Sequence, residues 1–167
     1  FGLPIAHISG GEVTEGAIDD VLRHAMTKLS HLHFVSTEIY GQRILQMGEE
    51  EWRVVVSGSL SIDALLRADL MSVEETSAEF SFDAWGPFAL VTTHPVSLES
   101  DQTETHIRNL LSVTRKLGGS MGMEVVFTAP NPDTTSALIL TAIRGFCSEH
   151  AHGHFVVSAG SRGYFSL

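Results

Sequence analysis

Residues 3–36 read LPIAHISGGEVTEGAIDDVLRHAMTKLSHLHFVS, and this stretch decides the fold. The apolar run at 3–9 is bounded by proline and glycine, which is typical of a buried strand. Apolar residues then recur at helical spacing and predict a helix over about 18–30: Ile18, Val21, Leu22, Ala25, Met26 and Leu29. LHFVS at 32–36 predicts the next strand. A helix between two apolar strands is typical of a parallel βαβ unit.

The same alternation continues to the end of the chain. Further helices are predicted at 37–48, 61–72, 104–118 and 134–150, and further strands at 52–58, 88–93, 123–129 and 154–159. The strands are apolar on both faces, as in a parallel sheet covered by helices on both sides. The sequence therefore predicts an α/β protein.

The composition changes at 73–86, which reads VEETSAEFSFDAWG and has no clear periodicity. We interpret this segment as a linker between two α/β units in tandem. The chain starts at Phe1, without methionine, and its last residues read as the first turn of a helix. We therefore expect a piece of a longer protein.

Charge and composition narrow the classes of function. The formal net charge is −10, with only 10 Lys and Arg residues, which argues against a nucleic-acid binder. No apolar run approaches the roughly 18 residues needed to span a bilayer, and no signal peptide is recognisable. The single cysteine, Cys147, fits a reducing compartment. We expect a soluble, cytoplasmic protein that contacts neither membrane nor nucleic acid.

Four acids lie close together after the first strand: Glu12, Glu15, Asp19 and Asp20. They are either a solvated loop with a helix cap or the acid/base part of an active site. An acid in the first turn of a helix is favoured by the helix dipole, which explains one aspartate better than two.

Polar residues also follow later strands, where open parallel sheets bind ligands. His94 precedes a proline and can donate to a phosphate or transfer a proton, or it can be a loop histidine with a structural hydrogen bond. Asn131 lies between two prolines, where its amide can form hydrogen bonds to a ligand or cap a turn. The nine histidines lack zinc spacing, so we expect no metal. The residue types alone indicate a cleft for a polar ligand.

Long motifs carry a resemblance to a known family. AHISGGEVTEGAIDDVLRHAMTKLSHLHFVSTE, VVVSGSLSIDALL, VTTHPVSLES and FTAPNPDTTSALI resemble the UDP-N-acetylglucosamine 2-epimerases, in the hydrolysing branch of sialic-acid and related nonulosonic-acid biosynthesis. The resemblance implies a GT-B-like fold with parts of two Rossmann-like parallel-sheet domains. Residues 1–74 would be the second half of the N-terminal domain, 75–86 the linker and 87–167 the first half of the C-terminal domain.

The resemblance also implies a reaction. UDP leaves UDP-N-acetylglucosamine as a base takes the C2 proton, and water adds to the 2-acetamidoglucal to give N-acetylmannosamine. No cofactor is implied, since main-chain N–H groups and basic side chains can hold the diphosphate. The full-length protein is expected to be a homo-oligomer, a dimer or tetramer. The same chemistry on UDP-N,N'-diacetylbacillosamine and a nucleotide-sugar-binding module without catalysis are the alternatives.

Site residues follow from matching positions in the family motifs. Asp19 matches a catalytic acid/base, His94 a contact to the diphosphate that assists catalysis, and Asn131 a contact to UDP. Ala159 and Gly160 fall near a main-chain contact to uracil. Many relatives carry a catalytic glutamate where this chain has Ser9, and Glu12 could take its place.

Overall fold

The computed structural model describes residues 2–96, 98–133 and 135–167. The chain forms two compact units, one that ends at Arg67 and one that begins at Ala68. The first contains β1 (Ala6–Ile8), α1 (Ile18–Leu29), β2 (Leu32–Val35), α2 (Glu38–Gln46), β3 (Val54–Val56) and α3 (Leu60–Leu66). The second contains α4 (Val73–Phe80), β4 (Phe88–Val91), α5 (Thr103–Met121), β5 (Glu124–Thr128), α6 (Ser136–Glu149), β6 (Gly153–Val156) and α7 (Gly160–Ser166).

Each unit has a three-stranded parallel sheet with the strands in sequence order. In the first unit His7 of β1 pairs with His33 of β2, and Phe34 pairs with Val55 of β3. Every crossover between neighbouring strands contains a helix, as parallel pairing requires. The predicted α/β class with parallel sheets is therefore confirmed.

The core of the second unit lies on both faces of β5, whose residues alternate between the two sides. Val125 and Phe127 are fully buried against α5 and α6, in a cluster that includes Ile143. Val126 faces the opposite side, where it packs with Phe82 and Val156. Burial on both faces explains why Val125, Val126 and Phe127 are three consecutive apolar residues at the centre of this strand.

The segment interpreted as a linker contains a regular element. α4 begins with a capping box, in which the Ser72 main-chain N–H donates to the Glu75 carboxylate at 2.8 Å and the Glu75 N–H donates to Ser72 Oγ at 3.2 Å. Phe82, just beyond the helix, is buried in the core of the second unit. The helix at Val73–Phe80 was not predicted from the sequence, because the two hydrogen bonds of the capping box and one buried aromatic stabilise an element with few apolar residues.

The predicted helix at 18–30 is confirmed as α1, but its apolar stripe does not face the sheet of its unit. Ile18, Leu22 and Met26 are each more than half exposed. The buried residue of the helix is Thr27, whose hydroxyl lies 3.2 Å from His7 Nδ1. A polar face of α1 therefore packs on β1.

The end of α5 also differs from the prediction. The helix continues through Gly118 and Gly119 to Met121, and Gly122 adopts a left-handed conformation at its C-cap (φ +65°). A Cβ atom at Gly118 would lie 1.9 Å from the His152 ring. Gly118 therefore allows the His152 ring to pack directly against α5. No helix in the described ranges is both long and apolar enough to cross a membrane.

Ile143→Ala tests the core of the second unit. Ile143 is fully buried between α6 and the sheet, so the truncation should lower the free energy of unfolding by about 2–5 kcal/mol. Leu138→Ala on the same helix, where the side chain is 39% exposed, should cost clearly less. Urea unfolding followed by circular dichroism measures both; equal losses would contradict this assignment of the core.

Candidate functional site

A cavity of about 300 Å³ lies in the second unit, where β4, β5 and β6 end. Parallel strands bring their carboxyl ends to one edge, so the residues after each strand meet there. The cavity is lined by Thr92, His94, Thr128, Ala129, Asn131, Val156, Val157, Ser158, Ala159 and Tyr164. The structure thus brings together three residues predicted to contact the nucleotide: His94, Asn131 and Ala159. Gly160 follows Ala159 directly and does not line the cavity.

His94 is oriented by a contact from the neighbouring loop. Its Nδ1 accepts a hydrogen bond from the Asn131 main-chain N–H at 3.0 Å. An imidazole that accepts at Nδ1 carries its proton at Nε2 when neutral, so the other ring nitrogen is a donor. His94 therefore has a structural hydrogen bond at Nδ1, and its contact to a ligand stays a prediction.

The main chain of Asn131 is fixed by the turn that precedes α6. Its carbonyl accepts from the Asp133 N–H at 2.8 Å and from the Ser136 hydroxyl. Ser136 Oγ also accepts from the Asp133 N–H at 2.9 Å. The turn is held by its own atoms, and the residue Asn131 is exposed at the cavity.

Three hydroxyl groups at the cavity were not predicted. Thr92 Oγ1 lies 2.8 Å from Thr128 Oγ1 and 3.2 Å from the Tyr164 hydroxyl. The threonines come directly after β4 and at the end of β5, a position that could have identified them. Tyr164 lies on α7, more than 30 residues further along the chain, and its contact could not be read from spacing.

A second group of polar residues lies in the loop after β1, in the first unit. Ser9 and Gly11 both have left-handed backbone conformations (φ +63° and +76°). A Cβ atom at Gly11 would lie 2.3 Å from the Tyr40 carbonyl oxygen, so the loop packs directly on the main chain of α2. Glu12 follows, and its carboxylate accepts a hydrogen bond from Ser36 Oγ at 3.1 Å. Ser36 comes immediately after β2, so Glu12 is held at the carboxyl edge of this sheet.

The two aspartates at the start of α1 differ in their contacts. Asp20 Oδ1 accepts a hydrogen bond from the Thr14 N–H at 2.9 Å and lies 4.0 Å from Arg23 Nη1. Asp19 is exposed, and its carboxylate makes no hydrogen bond or ion pair with another residue of the described ranges. The N-cap residue, Ala17, has no side-chain oxygen and makes no capping hydrogen bond. Asp20 therefore ties the preceding loop to the helix, and Asp19 remains accessible.

His7 lies directly before this loop and is buried. Burial lowers the pKa of His7 below its ordinary value of 6.5, and the nearby His33 and Arg23 lower it further. A Cβ atom at Gly10 would lie 3.0 Å from His7 Nδ1, so the ring packs against the loop. His7 thus connects β1, α1 and the loop.

Among residues 2–96, 98–133 and 135–167, no three His, Cys, Asp or Glu side chains are arranged to hold a metal ion. The candidate chemistry of the described residues is that of carboxylates in the first unit, and of imidazole, amide and hydroxyl groups in the second.

The fold and the cavity define an α/β protein with a polar site at the carboxyl ends of parallel strands. The sequence matches the UDP-N-acetylglucosamine 2-epimerase family over residues 1–167, and the chain belongs to that family.

Two curated relatives illustrate the range of the family. A GDP/UDP-N,N'-diacetylbacillosamine 2-epimerase (hydrolyzing) of Campylobacter jejuni is 36% identical over 166 residues, which cover 99% of this chain and 42% of the relative. Polysialic acid biosynthesis protein P7 of Escherichia coli is 30% identical, with 99% and 41% covered. The chain therefore spans about two fifths of the length of these relatives.

Solved structures support the fold. A UDP-GlcNAc 2-epimerase from Neisseria meningitidis, bound to UDP-GlcNAc, has a TM-score of 0.73 at 16% identity, with 98% of this chain and 44% of that chain covered. A Methanocaldococcus jannaschii UDP-GlcNAc 2-epimerase in complex with UDP-GlcNAc and UDP gives 0.71 at 19% identity, with the same coverage. The predicted GT-B-like fold class is confirmed by this likeness.

The lowered pKa of His7 predicts a pH dependence of stability. The unfolded chain binds a proton to this residue more readily than the folded chain, so stability should fall as the pH drops below the ordinary value of 6.5. Urea midpoints at pH 7.5 and pH 5.5 measure the loss. His7→Gln should reduce the difference between the two midpoints, whereas His106→Gln, at an exposed position, should leave it unchanged. An unaltered difference in His7→Gln would refute the prediction.

Proposed function

We propose that the whole protein containing this chain is a hydrolysing UDP-N-acetylglucosamine 2-epimerase, which converts UDP-N-acetylglucosamine and water to N-acetylmannosamine and UDP. Membership of the epimerase family supports the type of reaction. The observation that carries the assignment to this chain is the cavity at the ends of β4, β5 and β6, where His94, Asn131 and Ala159 meet.

The groups at this cavity suit the nucleotide part of the substrate. The His94 ring, held at Nδ1, offers its Nε2 proton to a phosphate oxygen. The hydroxyls of Thr92 and Tyr164 can donate to phosphate or ribose oxygens. A volume of about 300 Å³ is at the small end for a ligand pocket, which fits part of a UDP-sugar better than all of it. We assign the diphosphate to His94 and Asn131 and the uracil to Ala159 and Gly160.

The carboxylates of the first unit supply the acid/base chemistry. Asp19 takes the C2 proton as the C1–O bond breaks, and UDP leaves with the electron pair of that bond. Water then adds a hydroxyl to C1 of the glucal, while a proton returns to C2 from the opposite face. Glu12, held by Ser36, is the second carboxylate in place of the glutamate that many relatives carry at the position of Ser9.

Asp19→Asn in the whole protein should lower kcat by about 10²–10⁴-fold, since the amide cannot accept the C2 proton. Asp63→Asn is a matched control, because Asp63 is also an exposed acid in the first turn of a helix. Release of UDP, measured by a coupled assay, reports both rates. Near-normal turnover in Asp19→Asn would remove this residue from the mechanism.

Glu12→Gln, assayed in parallel, should also lower kcat. An unchanged rate would leave the second step to another group.

UDP-N,N'-diacetylbacillosamine is a second candidate for the substrate, because the relative at 36% identity is a GDP/UDP-N,N'-diacetylbacillosamine 2-epimerase (hydrolyzing). Incubation of the whole protein with each UDP-sugar, followed by identification of the products, separates the two. Deuterium from solvent at C2 of the product would exclude a binding module without catalysis. Failure to release UDP from either sugar would refute the proposed function.

His94→Ala should weaken the binding of UDP to the chain by about tenfold, as expected for one lost hydrogen bond to a charged ligand. Isothermal titration calorimetry measures the affinity. His31→Ala is the control, since this exposed histidine lies in the first unit. Equal affinity in His94→Ala and the wild type would contradict the assignment of the diphosphate.

Assembly into a dimer or tetramer and a cytoplasmic location stay predictions. Light scattering on the whole protein tests the first, and fractionation of cells tests the second.

A further inference from the structure

We propose that Asp20 and Arg23 are positioning residues, which hold the loop from Glu12 to Thr14 against α1 and so fix Glu12 relative to Asp19. The catalytic consequence rests on the proposed function, because Glu12 and Asp19 act as acid and base only within it. The geometric part of the proposal stands on contacts within the first unit and can be tested without any substrate.

The loop is connected to α1 by three hydrogen bonds from two helical residues. Asp20 Oδ1 accepts from the Thr14 N–H at 2.9 Å. Arg23 Nη1 donates to Thr14 Oγ1 at 3.0 Å and to the Glu12 carbonyl at 3.2 Å. These residues lie three apart on the helix, and so share one face. That face binds both the main chain and a side chain of the loop.

The other side of the loop is fixed by the second strand and helix. The Glu12 carboxylate accepts from Ser36 Oγ at 3.1 Å, and the Gly11 carbonyl accepts from Arg43. Glu12 is therefore held through its side chain by the residue after β2 and through its carbonyl by α1. Loss of the contacts to α1 would leave Glu12 attached to β2 but free to shift relative to Asp19.

The neighbouring aspartates consequently have separate roles. Asp20 is engaged with Thr14 and Arg23, and its side chain is 28% exposed. Asp19 is exposed, and within the described ranges no residue binds its carboxylate. A side chain that must exchange a proton with substrate has to be accessible, whereas one that holds a loop has to be occupied. The contacts assign the first role to Asp19 and the second to Asp20.

Two substitutions at Asp20 separate positioning from proton transfer. Asp20→Asn keeps an oxygen that accepts from the Thr14 N–H, whereas Asp20→Ala removes it. In the whole protein, Asp20→Ala should lower kcat by about 10–100-fold, as expected when a catalytic group is misplaced. Asp20→Asn should retain most of the activity, unlike Asp19→Asn. Arg23→Lys cannot form the same two hydrogen bonds and should also lower kcat, but by less than Asp20→Ala, because it keeps the charge and leaves the Asp20 bond to the Thr14 N–H in place.

Hydrogen exchange of the Thr14 amide provides the structural readout. Asp20→Ala should speed this exchange by on the order of tenfold, since the hydrogen bond to a carboxylate is lost, and Asp20→Asn should restore most of the protection. Glu50→Ala is the matched control, because Glu50 pairs with Arg53 at the same i,i+3 spacing, 2.8 Å apart. It should change neither the Thr14 exchange rate nor kcat.

The outcomes distinguish this proposal from the proposed function. Unchanged Thr14 exchange in Asp20→Ala refutes the positioning role, whether or not the protein turns over a UDP-sugar. Loss of kcat in Asp20→Asn as severe as in Asp19→Asn also refutes it and makes Asp20 a proton-transfer residue. If the wild type releases no UDP while Asp20→Ala speeds the exchange and Asp20→Asn restores it, the contact to the loop is supported and the epimerase assignment fails.

Discussion

Parallel pairing of three strands is the constraint on which both groups of polar residues depend. Because all strands of a sheet run the same way, every residue that follows a strand is delivered to the same edge. In the second unit this brings His94, Asn131 and Ala159 to one cavity from positions far apart in the sequence. In the first unit it places Glu12 beside Ser36. An antiparallel arrangement would send alternate loops to opposite edges and separate these groups.

The order of elements could be read from the sequence because the strands are apolar on both faces. In β5 three consecutive residues are fully buried, Val125, Val126 and Phe127, and their apolar run in the sequence predicts the strand directly. The helix at Val73–Phe80 was missed because it has few apolar residues, although Ser72 and Glu75 have the spacing of a capping box, which the sequence displays. Helix caps were therefore a better signal than periodicity at this position.

Contacts between distant residues could not be predicted in the same way. The resemblance to the family suggested His94 and Asn131 separately, but the hydrogen bond that orients the His94 ring joins it to a main-chain N–H 37 residues away. The face of α1 that packs on the sheet could not be predicted either. Periodicity identifies an apolar stripe on the helix, but it does not show which element packs against that stripe. Thr27, a polar residue, packs on His7. Which of the two aspartates is accessible followed from contacts of Thr14 and Arg23, not from residue type.

The two adjacent glycines of the loop, Gly10 and Gly11, differ in whether mutations elsewhere can make room for a larger residue. At Gly10 an added Cβ atom would meet the His7 ring and the end of the Ile44 side chain, so the obstacles are side chains, which smaller residues at these two positions would remove. At Gly11 the obstacle is the Tyr40 carbonyl oxygen, which every amino acid possesses. No earlier side-chain mutation can remove it. Gly10 is therefore open to compensated, epistatic change, whereas Gly11 can vary only if the main chain of α2 moves.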